Sequence, residues 1–200
     1  MATLVGVTAD PALPTRRMHE RVVDEAVRLT AETGWSQVTM AKLADAVGVS
    51  RQTVYNEIGT KAGLAEAMIL RELDRFLALV TVSFDDHPHD LAAAIGTASH
   101  AVLERAQESE LLRAVVSATH GADTELLPLL TTHAESLLAA AKVVIAEGIE
   151  PYDVRLDPVH LAAAIDMVVR VVLSHVMQPT ASPRATADDI AWIAARVLRD

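Results

Sequence analysis

Apolar residues recur along this chain with the period of an α-helix, and Gly, Pro, Ser and Thr break that period at defined points. From about Arg16 to Thr33, Val22, Val23, Ala26, Val27 and Leu29 trace one helical stripe, and Gly34 is placed to end it in a left-handed cap. Thr39 can cap a second helix to about Val47, with Leu43, Ala44 and Val47 on its inner face. Gly48 permits a tight turn, and Ser50 can cap a third helix through about Ile58, where Val49, Val54 and Ile58 face inward. Gly59 ends that helix and Thr60 can cap a long fourth one, whose Ile69, Leu73, Phe76, Val80 and Phe84 keep the helical spacing into a second domain.

The polar segment 85–90 breaks the pattern. Further helices are predicted near 91–107, 109–120, 124–147, 157–178 and 186–199. Gly121, Gly148, Pro151, Pro158, Pro179 and Pro183 fall at the proposed boundaries, and Pro128 is acceptable within a first turn. Residues 1–15, with Pro11 and Pro14 and no periodic apolar face, read as a flexible arm. The β signal is negligible. The expected fold is all-α: the arm 1–15, a three-helix domain over 16–60 containing a helix-turn-helix, and a larger helical domain over 61–200.

Composition sharpens this picture. Half of the residues are hydrophobic and only 3% aromatic, so the core must be built from Ala, Leu, Val and Ile. There is no cysteine, which excludes disulfides and thiolate metal sites and is compatible with a reducing cytoplasm. No basic residue precedes the short apolar patch of residues 1–14, which argues against a signal peptide. The aliphatic run Ala162 to Val176 is interrupted by Asp166, Arg170, Ser174 and His175, as expected of a buried helix rather than a membrane span.

The formal charge of −10 looks wrong for a nucleic-acid binder until it is divided. Residues 1–61 carry seven basic side chains (Arg16, Arg17, Arg21, Arg28, Lys42, Arg51, Lys61) and seven acidic ones. All of the excess acid therefore lies beyond them, and local distribution decides whether a polyanion can bind.

The third helix carries the chemistry of a DNA-reading helix. Arg51 can reach guanine O6 and N7, Gln52 or Asn56 can pair with adenine, and Ser50 and Thr53 offer hydroxyls. Thr39 at a helix start, the Tyr55 hydroxyl and the Lys61 ammonium are candidates for phosphate contacts, and Arg16 and Arg17 could fold down from the arm. Glu57 would repel a phosphate, so it either points away or accepts from a cytosine amine.

At these positions the chain resembles the N-terminal domain of the TetR family of bacterial transcriptional regulators. The resemblance rests on Gly34-Trp35, Thr39, Val49-Ser50-Arg51-Gln52-Thr53-Val54-Tyr55 and Gly59-Thr60-Lys61, over about residues 17–65. Asn56-Glu57-Ile58 departs from the aromatic-rich segment usual there. The resemblance implies a homodimer that binds a palindromic operator, more often as a repressor, and releases it when a small molecule enters the C-terminal domain. It also implies a dimer interface through the last two helices, here 157–178 and 186–199, with Trp192 as an anchor. Residues 56–67, with Arg71 and Phe76-Leu77, are similar to actinobacterial members associated with alkane-monooxygenase and fatty-acid or lipid-transport genes. That similarity implies a long-chain fatty acid or its ester as effector.

The residues leave the effector site more open. The helix 157–178 is apolar on nearly every side and is expected to be buried all round. Met68, Met167 and Met177 suit either a flexible apolar ligand or ordinary core packing. Arg170 can pair with Asp166 one turn away or hold a ligand carboxylate. His100, His120, His133 and His175 can line a cavity or serve as ordinary core and surface histidines. The candidate ligand residues are His100, Met167 and Arg170.

Catalysis is not expected. His87-x-His89-Asp90 has metal-ligand spacing, but hydrolases with such motifs need a β scaffold and further ligands. No phosphate loop, nucleophile elbow or carboxylate constellation accompanies it, and no cofactor is implied. The competing reading is a helical protein-interaction adaptor without specific DNA binding, which predicts no salt-dependent affinity for duplex DNA.

Overall fold

A computed structural model describes residues 12–119 and 134–198, with side chains placed over 18–116 and 137–198. The described residues form nine α-helices and no strand: α1 (Ala12–Thr33), α2 (Met40–Val47), α3 (Arg51–Ile58), α4 (Lys61–Asp86), α5 (Leu91–Glu108), α6 (Glu110–Thr119), α7 (Ala134–Ile149), α8 (Pro158–Met177) and α9 (Pro183–Val197). A 3-10 turn, Trp35–Gln37, follows α1. The chain divides into two compact units, Met1–Met68 and Ile69–Asp200. The division falls within α4 rather than at its start, because Leu64, Ala65 and Met68 on the first turns of that helix are fully buried.

In the first unit the polar punctuation acts as predicted. Thr39 Oγ1 accepts from the Lys42 amide at 3.2 Å and Ser50 Oγ from the Thr53 amide at 3.0 Å, so each side chain satisfies an otherwise unpaired N–H at its helix start. Gly48 closes α2 in the left-handed conformation, φ 76° and ψ 39°, and its amide returns to the Ala44 carbonyl at 2.9 Å. An L side chain is disfavoured there, so this glycine sets the angle between α2 and α3. Gly34 differs from expectation: its φ is 83° but its ψ is 152°, because the chain enters the 3-10 turn instead of closing a left-handed cap. Leu43, Val54, Leu64 and Val22 are fully buried, and Val49 and Ile58 are half-buried.

The first helix starts earlier than expected. α1 opens at Ala12, with Pro14 in its first turn, where the missing N–H costs no helical hydrogen bond. Arg16 and Arg17 belong to that helix rather than to an arm, and their side chains lie outside the described residues.

In the second unit α5 packs on α8 and α9, and α7 packs on α8. Gly96 makes the α5–α9 contact possible: a Cβ there would stand 2.8 Å from Ala191 Cβ. Phe84, Leu91, Ala94, Ala98, Ile149, Ile165 and Val169 form a buried core. The Tyr152 hydroxyl donates to the His87 carbonyl at 2.8 Å and lies 3.1 Å from that of Phe84, fixing the end of α4. Two of the three residues with metal-ligand spacing have structural partners: His87 Nε2 meets Thr97 Oγ1 at 2.9 Å, and Asp90 caps α5 through the Ala93 amide.

Two boundaries shift. Gly148 lies inside α7, where its bare Cα lets the Phe84 ring approach to 3.1 Å of where a Cβ would stand. α9 begins at Pro183 because Ser182 caps it and proline suits the first helical position. The predicted helix near 124–147 is described only from Ala134.

The expectation that 157–178 is buried all round is also corrected. Only Ile165 and Val169 of α8 are buried, since α5 and α7 cover one side. Val159, Ala163, Met167 and Val171, at four-residue spacing, form an exposed apolar face. By length and composition α8 is long and apolar enough to cross a membrane.

Candidate nucleic-acid interface and ligand cavity

The helical period of α3 separates its two jobs. Val54 points inward and is fully buried, while Arg51, Gln52, Tyr55 and Asn56 are exposed and Thr53 is half-buried at the helix start. Gln52 Nε2 donates to Asn56 Oδ1 at 2.8 Å, which aligns two amides along one face and leaves Gln52 Oε1 and the Asn56 amine for a base edge. Ser50 Oγ and Thr53 Oγ1 lie 2.9 Å apart, so one hydroxyl hydrogen is held between them. Among the described residues, Arg51 makes no ion pair or hydrogen bond. Its guanidinium is therefore available for an outside acceptor.

Arg21, Arg28, Lys42 and Lys61 each have a partner within this unit. Arg21 Nη2 donates to the Val47 carbonyl at 2.9 Å and ties α1 to the end of α2. Arg28 is held by Glu25 and Glu32, which raises its pKa through hydrogen bonds to both carboxylates. Lys42 Nζ donates to the Gln37 carbonyl at 2.9 Å. Lys61 Nζ sits 4.8 Å from the centroid of the buried Trp35 ring, which anchors the stem at the start of α4. Thr39 is exposed, and because its oxygen accepts from Lys42 its O–H remains to donate outward. Glu57 is half-buried, and its backbone carbonyl meets His19 Nδ1 at 3.3 Å.

The second unit contains a cavity of about 420 Å³, within the size range of small-molecule sites. One stripe of α4 lines it with Ile69, Leu73, Phe76, Val80 and Phe84, opposite side chains from α5, α6, α7 and α8. Among the described residues the lining is apolar except for Glu72 and Ser99. Glu72 is only 4% exposed; its Oε2 accepts from Arg75 at 3.1 Å, and Oε1 stands 3.9 Å from Arg105.

The candidate ligand residues are placed elsewhere. Met167 is 61% exposed on the outer face of α8, Arg170 is exposed and bonded to Asp166 at 2.7 Å, and His100 lies 4.0 Å from Glu104; none of the three lines the cavity. Met177 does line it, whereas Met68 is buried in the first unit. His175 lines a separate depression with Leu103, Leu112 and Val116, and its Nδ1 meets the Val171 carbonyl at 2.9 Å. His120 and His133 lie outside the described residues. Glu72 was missed in the sequence, although a readable signal existed: it is a charged residue three positions after Ile69 and four before Phe76, on the inner stripe of α4.

Comparison with known proteins agrees with both halves. Residues 22–68 match the family described as bacterial regulatory proteins, tetR family, and residues 90–196 match the bacterial Tetracyclin repressor C-terminal domain. The chain is 30% identical over 197 residues to the HTH-type transcriptional regulator AlkX of Mycobacterium tuberculosis, covering 95% of this chain and 90% of that protein. It resembles the crystal structure of the TetR family repressor AlkX from a Dietzia strain, implicated in biodegradation of n-alkanes, with a TM-score of 0.73 and 28% identity over 90% of this chain and 96% of that one. The fatty acid degradation regulator FadR of Bacillus halodurans shares the fold, with a TM-score of 0.57 at 19% identity over 88% of this chain and 96% of that one. With an exposed polar helix α3 on a compact three-helix unit and a second, helical unit, the chain belongs to the TetR family of transcriptional regulators, which are DNA-binding proteins and not enzymes.

Proposed function

We propose that this regulator is a cytoplasmic repressor that binds a palindromic operator as a homodimer and releases it when an elongated apolar molecule fills the cavity of the second unit. The observation that carries this reading is the cavity itself: among the described residues, a lining of apolar side chains with only two polar ones. Such a lining favours a ligand that exchanges water for apolar contact. The Dietzia repressor implicated in n-alkane biodegradation supports a chain-like effector. The long-chain fatty acid or ester expected from the sequence supplies such a chain.

In the DNA-binding unit, Arg51, Gln52 and Asn56 read base edges in the major groove, with Ser50 and Thr53 beside them. Thr39, Tyr55 and Lys61 contact phosphates and set the register of the helix. Dimerisation uses the faces of α8 and α9 that the single chain leaves open, where Met167, Val171, Trp192 and Ile193 are exposed. Two reading heads on a two-fold axis then match the two halves of the operator.

The test is operator binding by the purified protein, followed over a range of salt with a palindromic duplex from its own promoter region, with native mass spectrometry of the same sample. The expected result is a dimer whose affinity falls steeply with salt and which leaves the duplex when an apolar chain is added. Salt-independent retention would favour the adaptor reading instead.

A further inference from the structure

Among the described residues Glu72 is the single charged side chain in the lining of the cavity, and it is an anion. Its Oε2 is paired with Arg75, but its Oε1 is enclosed and has no hydrogen-bond partner; Arg105 Nη2 at 3.9 Å is too distant to supply one. A buried carboxylate oxygen without a donor is costly, so a donor delivered through the cavity gains the hydrogen bond that the protein leaves unmade. Arg75 and Arg105 already stand beside the single negative charge of Glu72, so a cationic head group would find no unmet charge there. Among the described residues none of the side chains lining the cavity is cationic, and a carboxylate head has no hydrogen to donate to Glu72 Oε1.

The lining also fixes the shape. Glu72 stands near one end of the α4 stripe and Phe84 at the other, about 18 Å apart by helical rise. We propose that the cavity takes an uncharged, elongated apolar molecule ending in a hydroxyl, which donates to Glu72 Oε1 while its tail runs toward Phe84. This rests on the cavity being the effector site, and it narrows the effector class away from a free fatty acid.

Three probes of equal chain length decide it: decanol, decanoate and decane, titrated calorimetrically into the full-length protein at neutral pH and then tested for operator release by fluorescence anisotropy. Decanol is expected to bind about tenfold more tightly than decanoate and than decane, as one hydrogen bond to a charged acceptor allows. It is also expected to release the operator. In Glu72→Gln the preference for decanol over decanoate should shrink, with thermal melting measured alongside to establish that the variant is folded. Decanoate binding as well as or better than decanol to the unmodified protein would overturn the hydroxyl assignment and leave the apolar-effector reading standing. A folded Glu72→Gln protein with an unchanged preference would remove Glu72 from the recognition. Failure of all three probes to bind would overturn the effector site itself.

Discussion

Arg21 Nη2 donates to the backbone carbonyl of Val47 at 2.9 Å, joining two residues that are 26 positions apart and closing the C-terminus of α2 onto α1. A cation near a helix C-terminus also meets the negative end of the helix dipole. Arg21→Ala should therefore lower the stability of the first unit by about 1–2 kcal/mol. Urea denaturation of the full chain checks this. Operator affinity should fall for all sequences alike, since the loss acts through the position of α3 and not through a base.

Arg51 and Lys61 should separate specificity from affinity. Arg51→Ala is expected to cost about 1–3 kcal/mol on the cognate operator and far less on unrelated DNA, if its guanidinium pairs with guanine. Lys61→Ala should weaken binding to every duplex and reduce the salt slope by about one contact per head. Anisotropy titrations on cognate and scrambled duplexes at several salt concentrations measure both. Equal losses on both duplexes for Arg51→Ala would move it from base reading to backbone contact.

Gly96 tests the packing of α5 on α9. A Cβ at this position would lie 2.8 Å from Ala191 Cβ, so Gly96→Ala must push the two helices apart. The expected loss is about 1–3 kcal/mol, as for other overpacked contacts. Gly96→Ala combined with Ala191→Gly should recover most of it in thermal melting, because the second change vacates the space that the first fills.

The acid limb of stability should depend on Asp166. Lys142 hydrogen-bonds its carboxylate, and Arg170 adds a second bond, so its pKa is held below the ordinary value of 3.8. A lowered folded-state value means that the contribution is complete above 3.8 and is lost as the pH falls through the lowered value. Melting temperatures of Asp166→Asn and the unmodified protein should therefore differ at neutral pH and converge in strong acid. High salt should narrow the neutral-pH gap, because the group is partly exposed.

The open faces of α8 and α9 should control association. Met167→Asp and Trp192→Asp each place a charge on an exposed apolar surface, which a monomer tolerates and a packed interface does not. Sedimentation should show a shift toward monomer with helical content unchanged. A dimer that survives both substitutions would place the interface elsewhere.

Local patterns carried most of the helical boundaries. Thr39, Ser50, Asp90 and Asp157 each cap a helix through a side chain that accepts an amide within three residues, and Gly48 turns the chain by its own backbone freedom. The same holds for α3, where a period of 3.6 residues is enough to send Val54 inward and leave Arg51, Gln52 and Asn56 outside. The choice of His100, Met167 and Arg170 as ligand residues had no such support. In a helix apolar on nearly every side, periodicity does not distinguish the cavity face from the open face.

The sequence by itself therefore determined the helices, their caps and the polar reading face of α3, because each depends on residues within a turn or two of one another. Tertiary structure alone decided that Arg21 braces α2, that α8 is covered on one side only and that Glu72 lines an apolar cavity. Those outcomes arise from contacts between distant segments, whose geometry no local pattern encodes.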